Sequence, residues 1–209
     1  MKPRWKVLGA VVLSFVVAVV GGWALFLNGY GPLALAGRSD WVRTGQAKDR
    51  VDRALRVTMD GITPALSYAG ADFEVLRKPD LWDGEPSMGS DLTEIVVVRT
   101  VVSQAKLPAL MDQVAQAWKG LGNRVVERSK PADGIQGMDG MGNADGETYL
   151  TFLAKPQQDS TYRVKFLVGT AGVLYQPAHE YKPLPPLGRA PYDADGYVID
   201  PVDDPYWSH

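Results

Sequence analysis

Cysteine is absent from this 209-residue chain, and histidine occurs only twice. The first absence excludes disulfides, thiolate-bound zinc, iron–sulfur clusters, thiol catalysis and a lipid-modified cysteine. The second removes the side chain most used as a base and metal ligand, because His179 and His209 both fall in a proline-rich segment near the end. No G-x-S-x-G elbow or H-E-x-x-H helix is present to receive either imidazole. A charge excess is lacking too. With 22 Lys and Arg against 24 Asp and Glu, counterion release offers little affinity for DNA or RNA, so no nucleic-acid partner is expected. The chain reads as a non-enzyme, with no cofactor and no metal.

What it has in excess is one apolar run. Val7 to Leu27 are uncharged and nearly all Val, Leu, Ala, Gly and Phe, with Ser14 the one polar side chain. As a helix this run rises about 31 Å, enough to span a bilayer core. Lys2, Arg4 and Lys6 precede it without an acid, whereas Arg38, Asp40 and Arg43 follow it. The positive-inside rule therefore predicts a single-pass cell-membrane protein with its N-terminus cytoplasmic and its C-terminal domain outside. Trp5, Trp23 and Tyr30 bracket the run as interfacial rings. A second reading rests on Pro32 and on Ala34-Leu35-Ala36 before Gly37, the pattern of a signal-peptidase site, where cleavage releases a secreted soluble protein. The length of the run and Trp23 favour retention, so residues 1–36 are assigned as cytoplasmic stub and transmembrane anchor, or else signal peptide.

Residues 37–176 predict one extracytoplasmic α+β domain, an antiparallel sheet packed by one or two helices. Val51, Leu55, Met59, Ile62 and Leu66 recur at helical spacing between Gly45 and Leu66, with Lys48, Asp49, Arg50, Asp52, Arg53 and Arg56 mostly on the other face. A loop is expected over Arg77 to Asp91, then a strand at Ile95 to Val102, central and covered on both faces because it is continuously β-branched. Leu107 to Leu121 predicts a second helix with Pro108 in its first turn. Strands follow at Arg124 to Arg128, Thr148 to Ala154 and Thr161 to Val168, the last two a hairpin through Pro156 to Asp159.

Candidate chemistry is sparse. Asp139, Asp145 and Glu147, in the glycine-rich stretch from Gly134, suggest calcium ligands or a glycosidase carboxylate pair, but the pairs Asp133-Gly134, Asp139-Gly140 and Asp145-Gly146 are better read as tight turns. Asp193-Ala194-Asp195-Gly196, with Asp200, Asp203 and Asp204, departs from the calcium-loop pattern, because glycine falls fourth and no glutamate stands twelfth. Trp118 lies on the apolar stripe of the second helix and reads as core.

Residues 177–209 form a Pro-rich acidic tail in which six acids face Lys182 and Arg189. Its prolines forbid continuous ladder pairing, which predicts a mobile docking segment that adds little stability. Tyr192, Tyr197, Tyr206 and Trp207 space anchors for a protein partner, and Lys182-Pro183-Leu184-Pro185-Pro186-Leu187 holds a P-x-x-P pattern. The alternative is an ordered arm that packs these rings on its own domain. The basic stub, the Val/Ala anchor, Ala34-Leu35-Ala36-Gly37 and the strand-helix-strand run Val101 to Arg128 with Trp118 together resemble small single-pass envelope proteins of high-GC actinobacteria. The resemblance carries no catalytic residues and implies only an exported, membrane-associated domain. The leading functional expectation is a non-enzymatic, membrane-anchored interaction or accessory protein. The alternative is a binding domain for a small envelope ligand, lipid or glycan, in an apolar cavity between the Leu107 to Leu121 helix and the sheet.

Overall fold

Alternation along two long strands decides the architecture. In β7 (Thr148–Pro156) the side chains of Leu150, Phe152 and Ala154 are buried; in β8 (Thr161–Leu174) so are those of Tyr162, Val164, Phe166 and Val168. The intervening residues point to the opposite face, the pattern of a sheet with its core on one side. The computed structural model describes residues 42–79, 84–127, 134–142, 148–175, 182–193 and 196–209. The run Val7 to Leu27 and the site Ala34-Leu35-Ala36 lie outside them. Among the described residues no helix is long and apolar enough to cross a membrane.

The fold is α+β, mostly β. The sheet runs β2 (Tyr68–Pro79), β3 (Pro86–Val98), β8, β7, β6 (Gln136–Met141), β5 (Arg124–Glu127), each neighbouring pair antiparallel. Two short pieces add to β8: β1 (Val42–Arg43), in parallel, and β4 (Val102–Ser103). Helices α1 (Thr44–Asp60) and α2 (Leu107–Gly120) cover one face, α2 burying Leu107, Leu110, Val114 and Trp118 along its stripe. The indole N–H of Trp118 donates to Thr58 Oγ1 at 2.9 Å, locking the two helices together.

Several expectations need correction. The loop anticipated over Arg77 to Asp91 is largely strand, because β2 and β3 extend through most of it as a long hairpin. Asp139-Gly140 is strand as well: β6 runs through it, and the glycine leaves room for the core there, since a Cβ on Gly140 would lie 3.0 Å from the Trp118 ring and 3.1 Å from Leu150. Lys48 is not on a solvated helix face but is buried beside Glu94. α1 stops at Asp60, ahead of Pro64, so Ile62 and Leu66 reach the core from the following chain.

The largest correction concerns the tail, whose described residues, 182–193 and 196–209, form an ordered arm. Leu184 and Trp207 belong to the core, 2% and 0% exposed. The arm clasps the outer edge of β2, where Ala71 N–H donates to Gly188 O and Ala190 N–H donates to Ala71 O, both at 2.9 Å. It then joins residues 99–101 through mutual backbone bonds with Val202, and the Trp207 indole N–H donates to Pro64 O at 2.8 Å. Proline cannot complete a continuous ladder, but short bridges between prolines satisfy the backbone while buried rings offset the ordering entropy. The P-x-x-P stretch turns on a Leu187 N–H to Leu184 O bond with Leu184 inward, so it is not an extended ligand for a groove.

Candidate functional site

The face of the sheet opposite the helices is laid out in rows by the strand registers. One row holds Thr93, Gly169, Tyr149 and Met141; the next holds Ile95, Leu167, Thr151 and Asp139; the third Val97, Lys165 and Leu153; the fourth Arg163 and Lys155. In the first row the Tyr149 ring crosses Gly169, where a Cβ would stand 2.2 Å from its Cζ, and meets the Thr93 hydroxyl at 2.8 Å. In the second, Thr151 Oγ1 donates to Asp139 Oδ1 at 2.8 Å. Polar partners on these two rows are thus at hand.

The last two rows differ. Arg163 and Lys155 face each other directly across the β7–β8 pair, an arrangement of like charges that costs stability in a sheet. Lys165 lies one row along on the same face. Among the described residues none of the three makes an ion pair with a carboxylate. The Asp159 carboxyl is held below its usual range by hydrogen bonds from Thr161 first, with the charge of Arg163 contributing least. The three cations line a groove of about 710 Å³ together with Val97, Leu153 and Ile135. Its remaining wall is the arm, through Tyr197 and Ile199. Tyr197 is fixed by its hydroxyl, which donates to Asp72 Oδ2 at 3.2 Å; burial, and then the Asp72 charge, push this phenol up to about 12. The tyrosine therefore stays neutral at ordinary pH.

A second charged cluster is sealed. Glu94, wholly buried on the helix side, accepts from the Leu184 N–H at 3.0 Å, and its other oxygen lies 3.2 Å from Lys48 Nζ. Lys48 also pairs with Asp52 and lies over the Phe73 ring at 5.3 Å from its centroid. Burial raises the Glu94 carboxyl above the usual range, while the Leu184 N–H and the Lys48 charge pull the other way. This cluster fastens the arm to α1 and β3.

Those of the anticipated chemical residues that the structure describes form no metal-holding group. Asp139 is engaged with Thr151, while Asp145, Glu147, His179 and Asp195 lie outside the described residues. Asp204 caps the final turn, accepting from the backbone N–H groups of Tyr206 and Trp207 at 2.9 Å, and Asp203 lies 3.3 Å from His209. No group of three or more His, Asp or Glu among the described residues is arranged to hold a metal. Of the four tail rings, Trp207 is core, Tyr197 walls the groove, and Tyr192 and Tyr206 are exposed. At the seam where a cavity was anticipated, between the Leu107 to Leu121 helix and the sheet, the described side chains belong to the buried core; the groove is a different site, on the opposite face. Sequence reading missed Lys155, Arg163 and Lys165, although a signal existed. The alternation of Arg163 and Lys165, with Lys155 just across the Pro156 to Ser160 turn, brings them together once the hairpin register is drawn.

No family model, no curated protein and no solved structure matches the chain.

Proposed function

We propose that the chain is a membrane-anchored extracytoplasmic accessory protein that binds a small anionic envelope ligand in the groove on the uncovered face of the sheet. The observation that carries this reading is the group of three cations lining the groove without carboxylate partners among the described residues, two of them paired across strands at a cost in stability. A volume of about 710 Å³ is within the range of small-molecule sites. The anchor half of the proposal rests on the 21-residue run Val7 to Leu27 and the basic stub before it.

Hydrogen exchange on the full chain, with and without a panel of small organic carboxylates, phosphates and sulfonates, tests the site. Protection of β7 and β8 by at least one anion, and not by the matched neutral alcohols, is the expected result; an unresponsive sheet across the panel rejects it. Carbonate extraction followed by intact-mass measurement tests the anchor. A membrane-retained chain beginning at residue 1 or 2 supports it, and a soluble chain beginning at Gly37 replaces it with the secreted form.

A further inference from the structure

We infer that the groove holds one anionic lipid molecule, with an acyl chain against Val97, Leu153, Ile135 and Ile199 and its anionic head among Lys155, Arg163 and Lys165. The inference rests on the site proposed above and names its ligand class. Two observations point to an amphiphile in place of a fully polar anion such as a sugar phosphate. First, apart from the three cations and the neutral phenol of Tyr197, the lining side chains are aliphatic: Val97, Ile135, Leu153, Pro156 and Ile199. Fully polar ligands need several directed donors and acceptors, since each buried polar group left unpaired is penalised. Second, the cations stand on long aliphatic stems rising from the sheet, so the same residues present apolar flank low in the groove and charge at their tips. A ligand with an apolar body and one compact anionic group matches that gradient.

The arm contributes the clasp. Tyr197 and Ile199 face the sheet residues across the groove, and Tyr197 is tied to Asp72 of β2. The arm itself is secured at both sides of this point, by Leu184 on Glu94 and by Trp207 on Pro64. The wall is therefore part of the folded domain, and a chain lying under Ile199 gains contacts without having to order it.

Native mass spectrometry of the full chain, released from phosphatidylcholine nanodiscs and offered three probes, tests the inference. The probes are lysophosphatidylglycerol, lysophosphatidylcholine with the same acyl chain, and glycerol phosphate. One bound lysophosphatidylglycerol per chain is expected, with both other probes at least tenfold weaker, about 1.4 kcal/mol. The double variant Lys155→Glu/Arg163→Glu should lose at least tenfold for the anionic lipid, and Ile199→Asp should do the same without changing glycerol phosphate; unchanged melting temperatures confirm that both variants fold. If glycerol phosphate binds as well as the lipid, the acyl-chain inference is overturned while the anion site stands. If no probe binds, or the charge reversal leaves lipid retention unchanged, both the inference and the site fall.

Discussion

The two faces of one sheet divide along alternate residues of the same strands. Phe152 and Phe166 lie on the helix face with ring centroids 5.6 Å apart; on the other face, one residue away along each strand, stand Leu153 and Lys165. The covered face is filled by α1, α2, Leu184 and Trp207 and carries one sealed ionic cluster. The other face sets like charges opposite each other and, among the described residues, is walled by the arm. On the function proposed above, the difference separates stability from recognition. Substitutions on the first face should act on folding, and those on the last two rows of the second should act on binding.

The arm joins both faces, and its removal from the core is the strongest way to break the comparison. Trp207→Ala takes a fully buried ring from the core and leaves Pro64 O without its indole donor. A loss of about 3–5 kcal/mol is expected, a fall of roughly 10 °C or more in Tm for a domain of this size. Differential scanning calorimetry of the full chain reads it. A shift below about 2 °C would return the arm to the role of a loosely attached tail.

Two glycines sharpen the contrast with one substitution. At Gly140 a Cβ meets the Trp118 ring at 3.0 Å and Leu150 at 3.1 Å, both in the close-packed core, so Gly140→Ala should cost about 1–3 kcal/mol. At Gly169 the clash is nominally worse, 2.2 Å from Tyr149 Cζ, yet that ring is 37% exposed and can swing into solvent. Gly169→Ala forfeits the Thr93–Tyr149 hydrogen bond but lowers the unfolded chain's entropy, leaving a net change within about 1 kcal/mol. Equal losses at both positions, measured by urea denaturation, would mean that the uncovered face is as tightly packed as the covered one.

The strands and helices were legible where periodicity was strong. The stripe from Leu107 through Trp118 predicts α2 to within a residue, because every fourth or third position is apolar and Pro108 marks the start. The β7–β8 hairpin is legible for a similar reason. β6 was not, since a strand reading Gln-Gly-Met-Asp-Gly-Met has the composition of a turn, and its Gly140 answers to the bulk of Trp118, which local sequence does not reveal. Glu94 was illegible too: its burial depends on Lys48, 46 positions earlier, and on the Leu184 N–H, 90 positions later. The arm was misread because proline density argues against ladders but not against isolated bridges. The groove was half legible, in the charges of one hairpin, while its wall comes from the far end of the chain.

The smallest expected effect concerns how charge on the two faces responds to pH. Burial raises the Glu94 carboxyl above the value of about 4.3 that it has in the unfolded chain. Between the two values the folded state holds a proton that the unfolded state has released, so this group's contribution is fully present below about pH 4.3 and is lost as pH rises through the folded value. Glu94→Gln keeps an acceptor for the Leu184 N–H and removes that titration, at the cost of leaving Lys48 paired with Asp52 alone. The variant should lie within about 1 kcal/mol of the parent at neutral pH. Its Tm should decline less than the parent's as pH rises from about 4 toward neutrality. Lys155→Gln and Arg163→Gln, on the opposite face of the sheet from Glu94, should leave the parent's pH slope in place over the same window, because neither side chain belongs to the Glu94 cluster. A parent whose stability rises with pH relative to Glu94→Gln would show that the Lys48 pairing outweighs burial, and the sealed cluster would then be a net stabiliser of the arm at neutral pH.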